Sequence, residues 1–240
     1  MNLRIFSYDV VSSTQDVARL LAERDIQSGI VLSQSQTKGR GRFSRLWHSE
    51  KGGLYCTIFI PISSESAHML PFIASLAVRN TLAAKTKSIV QLKWPNDVLL
   101  NGKKVAGILT EVQHGNKPRA LIGIGINVNQ KSMPKPLAKQ STSLFIHTHK
   151  KSNIPLLLNQ LKKNFISIYS AAIENGFSTI IADWKKHAHM LNKRASINTI
   201  RGVVNGKALD IDANGNLIIQ KRNGKKMKIL EGDVTLISRT

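Results

Sequence analysis

Lys93-Trp94-Pro95-Asn96-Asp97-Val98-Leu99-Leu100-Asn101-Gly102-Lys103-Lys104-Val105-Ala106-Gly107-Ile108-Leu109 is the stretch on which the reading of the fold turns. Asn101-Gly102 is a favoured hairpin dipeptide, because a tight hairpin turn needs positive φ at its central residues. It separates Val98-Leu99-Leu100 from an apolar run over Val105 to Val112, so two antiparallel strands are expected. Pro95 stiffens the preceding turn, and Asn96 and Asp97 bring polar side chains onto it. Lys104 stands where the chain enters the second strand, a place where lysines are ordinarily solvated. Gly107 within an apolar strand points to a bulge or to close approach of a ligand. The run Leu121 to Val128 repeats this feature with Gly123, Gly125 and Asn127. Two neighbouring strands with such small residues would open a flat slot beside a sheet.

Upstream lies Gln36-Thr37-Lys38-Gly39-Arg40-Gly41-Arg42-Phe43-Ser44-Arg45-Leu46-Trp47. Glycine lets a backbone approach a ligand closely, and successive N–H groups there form an anion-binding nest. Arg40, Arg42 and Arg45 add permanent charge and donor forks matched to phosphate or carboxylate. Trp47 offers a flat apolar face. The segment reads as a loop that folds over a phosphate-bearing ligand, although Gly/Arg-rich strings also serve in solvated loops and nucleic-acid binders. Before it, Ile5 to Val10 reads as a strand. Ser12-Ser13-Thr14-Gln15-Asp16 reads as a helix start, suited to a small polar ligand or to a simple cap. Ile30 to Ser33 and Leu54 to Ile60 read as strands, and Ala67 to about Lys85 as an amphipathic helix.

Downstream, Pro134 to Ser152 is polar and basic, and a surface loop is expected. Leu156 to Ala172 and Phe177 to about His189 carry helical spacing, the second placing His187 and His189 in helix. From Ala195 the character changes. Asn205-Gly206, Asn214-Gly215 and Asn223-Gly224 separate short β-prone runs, which predicts a small all-β barrel of about 50 residues. The domain division expected is 1–190 and 191–240.

Bulk properties narrow the class. The chain has 240 residues, 42% of them hydrophobic, enough for an ordinary core. No stretch approaches the ~20 apolar residues of a membrane span, and the N-terminus lacks a signal-peptide core. The single cysteine, Cys56, sits in an apolar run and reads as a buried inert thiol. These features point to the cytoplasm. The histidines show no metal-site spacing, so no metal ligands are identified. The net charge of +21 raises nucleic-acid binding as one class of function. The lysines are scattered, however, with one tight cluster at Lys221 to Lys228; a solvated, lysine-biased surface explains most of the balance, and attraction of an acidic protein partner explains part.

Gly39-Arg40-Gly41-Arg42 with Arg45 and Trp47, then Lys93-Trp94-Pro95-Asn96-Asp97, then Lys104-Val105-Ala106-Gly107-Ile108-Leu109, then Gly123-Ile124-Gly125-Ile126-Asn127 stand in an order and spacing that resembles the biotin–protein ligases. The resemblance is strong over Ser12 to Asn129 and weaker beyond. It implies an α+β fold: a mixed sheet with helices packed on one face, followed by a small SH3-like β-barrel. It implies that biotin and ATP, with Mg²⁺, form biotinyl-5′-AMP, and that the acyl group passes to a lysine of the biotin carboxyl carrier protein of acetyl-CoA carboxylase. Neither specific nucleic acid nor membrane is implied, and the chain would be a monomer or homodimer.

By the same resemblance Ser13, Thr14 and Gln36 bond the ureido ring, Gly39 belongs to the residues that bind biotin, and Gly107 and Gly125 leave space for the ligand. Arg40 and Arg42 hold the carboxylate and α-phosphate region. Arg45, Trp47, Asn96 and Asn127 hold the nucleotide, Trp47 on adenine. Lys104 binds the carboxylate and then the anhydride oxygens. Asp97 is the base or orienter for the acceptor amine, or else fixes the turn or helps bind metal. Two departures stand out. Ser44 replaces a frequent glycine, which puts closure of the loop in doubt. Only about eleven residues precede Ser12, so the helix-turn-helix of some members is not expected. The alternatives are a lipoate–protein ligase and a basic, non-enzymatic nucleic-acid binder.

Overall fold

The computed structural model describes residues 1–62, 64–115 and 117–237. The chain opens with β1 (Arg4–Val11), α1 (Thr14–Glu23), β2 (Gly29–Gln36) and β3 (Leu54–Pro61). It continues through α2 (Leu70–Ala83), β4 (Val90–Lys93), β5 (Asp97–Leu100), β6 (Lys103–Gln113) and β7 (Arg119–Ile126). These strands form one seven-stranded sheet in the order β1-β2-β3-β7-β6-β5-β4. β1 and β2 are parallel, joined by the crossover through α1, and the remaining pairs are antiparallel, so the sheet is mixed.

Side-chain alternation sorts the two faces. Ile30, Ile58, Ile60 and Ile122 enter the main core, whereas their neighbours Val31, Phe59 and Leu121 pack with Ala18 of α1 on the opposite side. The main core is covered by α2, α4 (Ile154–Asn175) and α5 (Phe177–Lys186), which together occupy one face. Each start has a local cause. Ser13 Oγ accepts from Gln15 N to cap α1, and Asn153 caps α4 by accepting from Leu156 N at 3.0 Å, with a proline in the first turn. Gly176, at φ +81°, separates α4 from α5.

A second, antiparallel sheet follows: β8 (Arg194–Thr199), β9 (Gly202–Ile211), β10 (Leu217–Gln220), β11 (Lys226–Ile229) and β12 (Asp233–Leu236). Its order is β11-β10-β9-β8-β12. Trp94, fully buried, donates its indole N–H to Gly215 O of this second sheet at 2.9 Å and ties the two together.

Three local expectations differ from the structure. Residues 134–152 include a short helix, α3 (Leu144–Thr148), capped by Ser143 Oγ accepting from Ile146 N. The helix expected to reach His189 ends at Lys186. His189 N donates to Leu92 O at 2.7 Å and Leu92 N to His187 O at 2.8 Å, so the chain leaves the helix to pair with the open edge of β4. Asn205-Gly206 is not a turn; it lies within β9, where a Cβ on Gly206 would stand 2.5 Å from Gln220 O. The glycine is there for close approach of β10, and the turn before β9 falls at Thr199 to Gly202.

Candidate active site

The floor of the site is a glycine pair. Gly107 of β6 stands opposite Gly125 of β7, which in turn stands opposite Tyr55 of β3. Trp47 lies on this floor: a Cβ on Gly107 would sit 3.1 Å from its Cζ3, and one on Gly125 would overlap the indole. The slot belongs to a cavity of about 620 Å³ lined from both sheets.

One end of the cavity is a hydrogen-bonding cluster at the start of α1. Gln36 Oε1 accepts from Thr14 N at 2.8 Å and from Thr14 Oγ1 at 3.1 Å. Its amide nitrogen donates to Ser49 Oγ, and Thr57 Oγ1 donates to Thr14 Oγ1. Ser13, Thr14 and Gln36 are thus brought together as expected. Gln15, Ser49 and Thr57 join them unannounced by any motif. Gln15 Nε2 donates to Leu109 O while its chain covers Gly123.

The other end is cationic. Lys104 Nζ is 2.6 Å from Asp97 Oδ1 and 5.2 Å from the centre of the Trp47 ring. Lys93 reaches the second oxygen of Asp97 at 3.8 Å. Arg42 donates to Gly232 O at 3.0 Å and approaches Asn96 Oδ1 at 3.4 Å. Both Arg42 and Arg45 pair with Asp233 at the start of β12. Burial pushes the Arg42 guanidinium below its ordinary value, against the pull of Asp233. Asp233, at the start of β12, lies far from any sequence motif, and sequence reading had no signal for it.

The arginine-rich segment is a closed hairpin here. Gly41 N donates to Arg45 O at 2.8 Å and Trp47 N to Gly39 O at 2.9 Å, with Arg40 bridged to Leu46. Gly39 is buried, and a Cβ there would meet Ser49 Oγ and Trp47 O at 2.5 Å. Phe43 and Ser44 make the tip at φ +54° and +56°. Ser44 therefore takes the left-handed conformation itself, and the loop closes without glycine. Arg40 is turned away from the cationic group. Its two terminal nitrogens donate to the two oxygens of Asp16 at 3.0 and 2.7 Å. The hydrogen bond and charge of Arg40 hold the Asp16 carboxyl below the usual range.

Asn96 and Asn127 border the cavity but are occupied: Asn96 Nδ2 donates to Ile108 O at 2.7 Å, and Asn127 Nδ2 to Thr142 O at 3.0 Å. Cys56 lies beneath the floor, and burial pushes its thiol up to about 12, so it is an inert thiol. Among the described residues no three His, Cys, Asp or Glu side chains gather to hold a metal, and no helix is long and apolar enough to cross a membrane.

The sequence pattern of the Biotin/lipoate A/B protein ligase family matches residues 7–129, and that of the Biotin protein ligase C terminal domain matches residues 191–236. The chain is 36% identical over 244 residues to the bifunctional ligase/repressor BirA of Bacillus spizizenii, covering 98% of this chain and 75% of the relative. It is 29% identical over 243 residues to the biotin–[acetyl-CoA-carboxylase] ligase of Mycobacterium tuberculosis, covering 94% and 87%. In structure it is similar to the biotin protein ligase of Aquifex aeolicus in complex with biotin and ATP, with a TM-score of 0.85 and 28% identity over 98% of this chain and 99% of that one. The chain belongs to the biotin/lipoate A/B protein ligase family.

Proposed function

We propose that the chain is a biotin–protein ligase that joins biotin to ATP as biotinyl-5′-AMP, with loss of pyrophosphate, and then passes the acyl group to a lysine of a biotin carboxyl carrier protein. One observation carries the reading: a single slot has a hydrogen-bonding end, a glycine floor and a cationic end. Biotin has the same parts in the same order, a ureido ring, an apolar body and chain, and a carboxylate. Lipoate ends in a dithiolane that makes no strong hydrogen bonds. Against it, the Ser13, Thr14 and Gln36 cluster would have hydrogen-bonding capacity that the ligand cannot use, so lipoate gains less from this end than biotin does.

In the first step a carboxylate oxygen attacks the α-phosphorus and pyrophosphate leaves. Two anions must meet, so fixed positive charge lowers the barrier. Lys104 and Arg42 supply it from opposite walls, and each gives up part of its hold on Asp97 or Asp233 as the ligand anions arrive. Arg45, also on Asp233, stands with them for the nucleotide. Trp47 covers the floor, and among the described residues its indole N–H has no hydrogen-bond partner, which leaves it available to a base. Asn96 and Asn127 shape the nucleotide side through their backbone ties. The described residues form no cage for Mg²⁺, and the ion would enter with the triphosphate, whose charge it screens.

In the second step a neutral lysine amine attacks the acyl carbon and AMP leaves. A free lysine is almost wholly protonated at neutral pH. Asp97, beside Lys104 at the mouth of the slot, takes the proton or orients the amine. We divide the chain between residues 190 and 191, a reading supported by the second sheet, which begins at Arg194 and contributes Asp233 to the cavity wall. The test is pyrophosphate release from ATP with biotin or lipoate as the acid. Release with biotin is expected; release with lipoate alone overturns the reading.

A further inference from the structure

The arginine hairpin is paired with two carboxylates, one from each sheet's part of the chain: Asp16 of α1 and Asp233 of β12. Asp233 meets Arg42 and Arg45 near the tip. Asp16 meets Arg40 at the root. Asp16 takes no part in the contacts proposed above for biotin or ATP, yet its grip is the more geometric of the two. Both carboxylate oxygens face both terminal nitrogens of Arg40, the paired geometry that fixes direction as well as distance. Its other partners are looser: Ser12 Oγ at 3.4 Å and Arg19 at 3.5 Å.

We propose that Asp16 is a positioning residue which, by gripping Arg40, holds the Gly39–Trp47 hairpin closed over the slot and sets how long the acyl adenylate is kept. Arg40 sits between Gly39 and Gly41, so its side chain is the anchor that adds to the backbone hydrogen bonds of a glycine-flanked, readily deformed segment. Arg40 is also bridged to Leu46, so fixing it fixes both legs of the hairpin and, through Trp47 N and Gly39 O, the indole on the glycine floor. Asp16 itself is held on the first turn of α1, two residues after Thr14. The ureido end and the anchor of the lid therefore share one rigid base. Arg19 extends that base to Glu111 of β6 at 2.7 Å. With its fork committed to Asp16, Arg40 acts through the position of the hairpin, while Lys104 and Arg42 meet the reacting anions.

The retention half of this inference rests on the ligase reading; the closure half does not. The experiment therefore has two arms, each on wild type, Asp16→Asn and Asp16→Glu. The first follows amide hydrogen exchange in the protein without substrates. In Asp16→Asn the Gly41 and Trp47 amides should exchange about two- to fivefold faster, the range for losing one half-exposed ion pair. Amides in the later turns of α1 should be unchanged, and Asp16→Glu should restore the wild-type rates. The second arm adds biotin and ATP. Adenylate formation at saturating substrates should match wild type, while adenylate escape, read as labelling of a bystander protein, rises by a similar factor. Unchanged exchange at Gly41 and Trp47, or faster exchange spread equally through α1, overturns the proposal. Unchanged escape with looser exchange removes the retention role. Lack of biotin-dependent pyrophosphate release in wild type defeats the ligase reading and leaves the first arm intact.

Discussion

Lys104 is the residue on which the chemistry is most concentrated. Its Nζ lies between the Asp97 carboxylate and the face of Trp47, at the point where β6 enters the slot. A lysine at a strand entrance is ordinarily solvated; here it is held against an acid inside a cavity. Removing a preorganised charge of this kind costs on the order of 10²–10³ in rate. Lys104→Ala should lower biotin-dependent pyrophosphate release by that factor while the variant melts like wild type. Near-normal release would return Lys104 to the role of a solvated strand lysine. Trp47 offers a second measurement. Trp94 and Trp184 are fully buried with their indole N–H groups bonded to Gly215 O and Ser75 Oγ, whereas the Trp47 N–H has no partner among the described residues. Trp47 is therefore the indole free to respond. Biotin with ATP should shift the tryptophan emission, and Trp47→Phe should abolish the shift; a shift that survives the substitution places the response elsewhere. The motif residues were legible because glycine and arginine carry their conformational and charge requirements in their identity. Asp16, Thr57 and Asp233 were not legible, because each acquires its role from a partner distant in the chain.

At the scale of elements, the turn between β9 and β10 joins the second sheet to the first. Asp212 Oδ1 accepts from Asn214 N at 3.0 Å and Asn216 N at 2.9 Å, and Oδ2 pairs with Lys228 at 2.9 Å. This shapes Asn214-Gly215, and Gly215 O is the acceptor for Trp94. Partial burial raises the Asp212 carboxyl, but the bonds from Lys228, Asn216 and Asn214 outweigh it and hold the group at about 2 against an ordinary 3.8. A depressed carboxyl contributes stability above its unfolded value and loses it as pH falls through the folded value. Asp212→Ala should thus be less stable than wild type by about 1–2 kcal/mol at neutral pH, the shift being discounted for partial exposure. The gap should close between about pH 4 and pH 2. Denaturant midpoints of the two proteins at pH 7 and pH 2.5 check it, and an equal gap at both would make Asp212 a packing residue. The same turn shows how far local sequence reaches. Asn214-Gly215 and Asn223-Gly224 are turns, with positive φ at both glycines. Asn205-Gly206 has the same dipeptide and lies within a strand, because β10 needs the space that a side chain would fill. Turn chemistry is local and readable, whereas close approach of another strand depends on the finished sheet. The end of α5 is similar, since only the open edge of β4 explains why the chain leaves the helix at Lys186.

Over the whole molecule, charge separates into two populations. At the site, the carboxylates of Asp16, Asp97 and Asp233 each face cations, so Arg40, Arg42, Arg45 and Lys104 are held by internal partners. The net charge of +21, from 35 basic against 14 acidic residues, is too large for those pairs to absorb, and most of it is spread over the surface. Surface charge of one sign contributes little to the fold and acts mainly on encounter. The carrier partner proposed here would gain from it if its lysine-bearing face is acidic, and the gain would lie in association rather than in chemistry. Salt separates the two. Raising ionic strength from about 0.01 to 0.1 M shortens the screening length from about 30 to about 10 Å, which weakens long-range attraction but leaves contacts in the slot largely unscreened. With biotin and ATP saturating, kcat/KM for the carrier should fall by about tenfold over that range. The kcat at saturating carrier should stay within a factor of about two, since the docked complex no longer depends on long-range attraction. A parallel fall in both would place the salt effect on the slot itself, where Lys104 and Arg42 are proposed to meet the phosphates. A flat kcat/KM would mean that the basic surface serves no encounter with an acidic acceptor, and the excess charge would then need another partner to explain it.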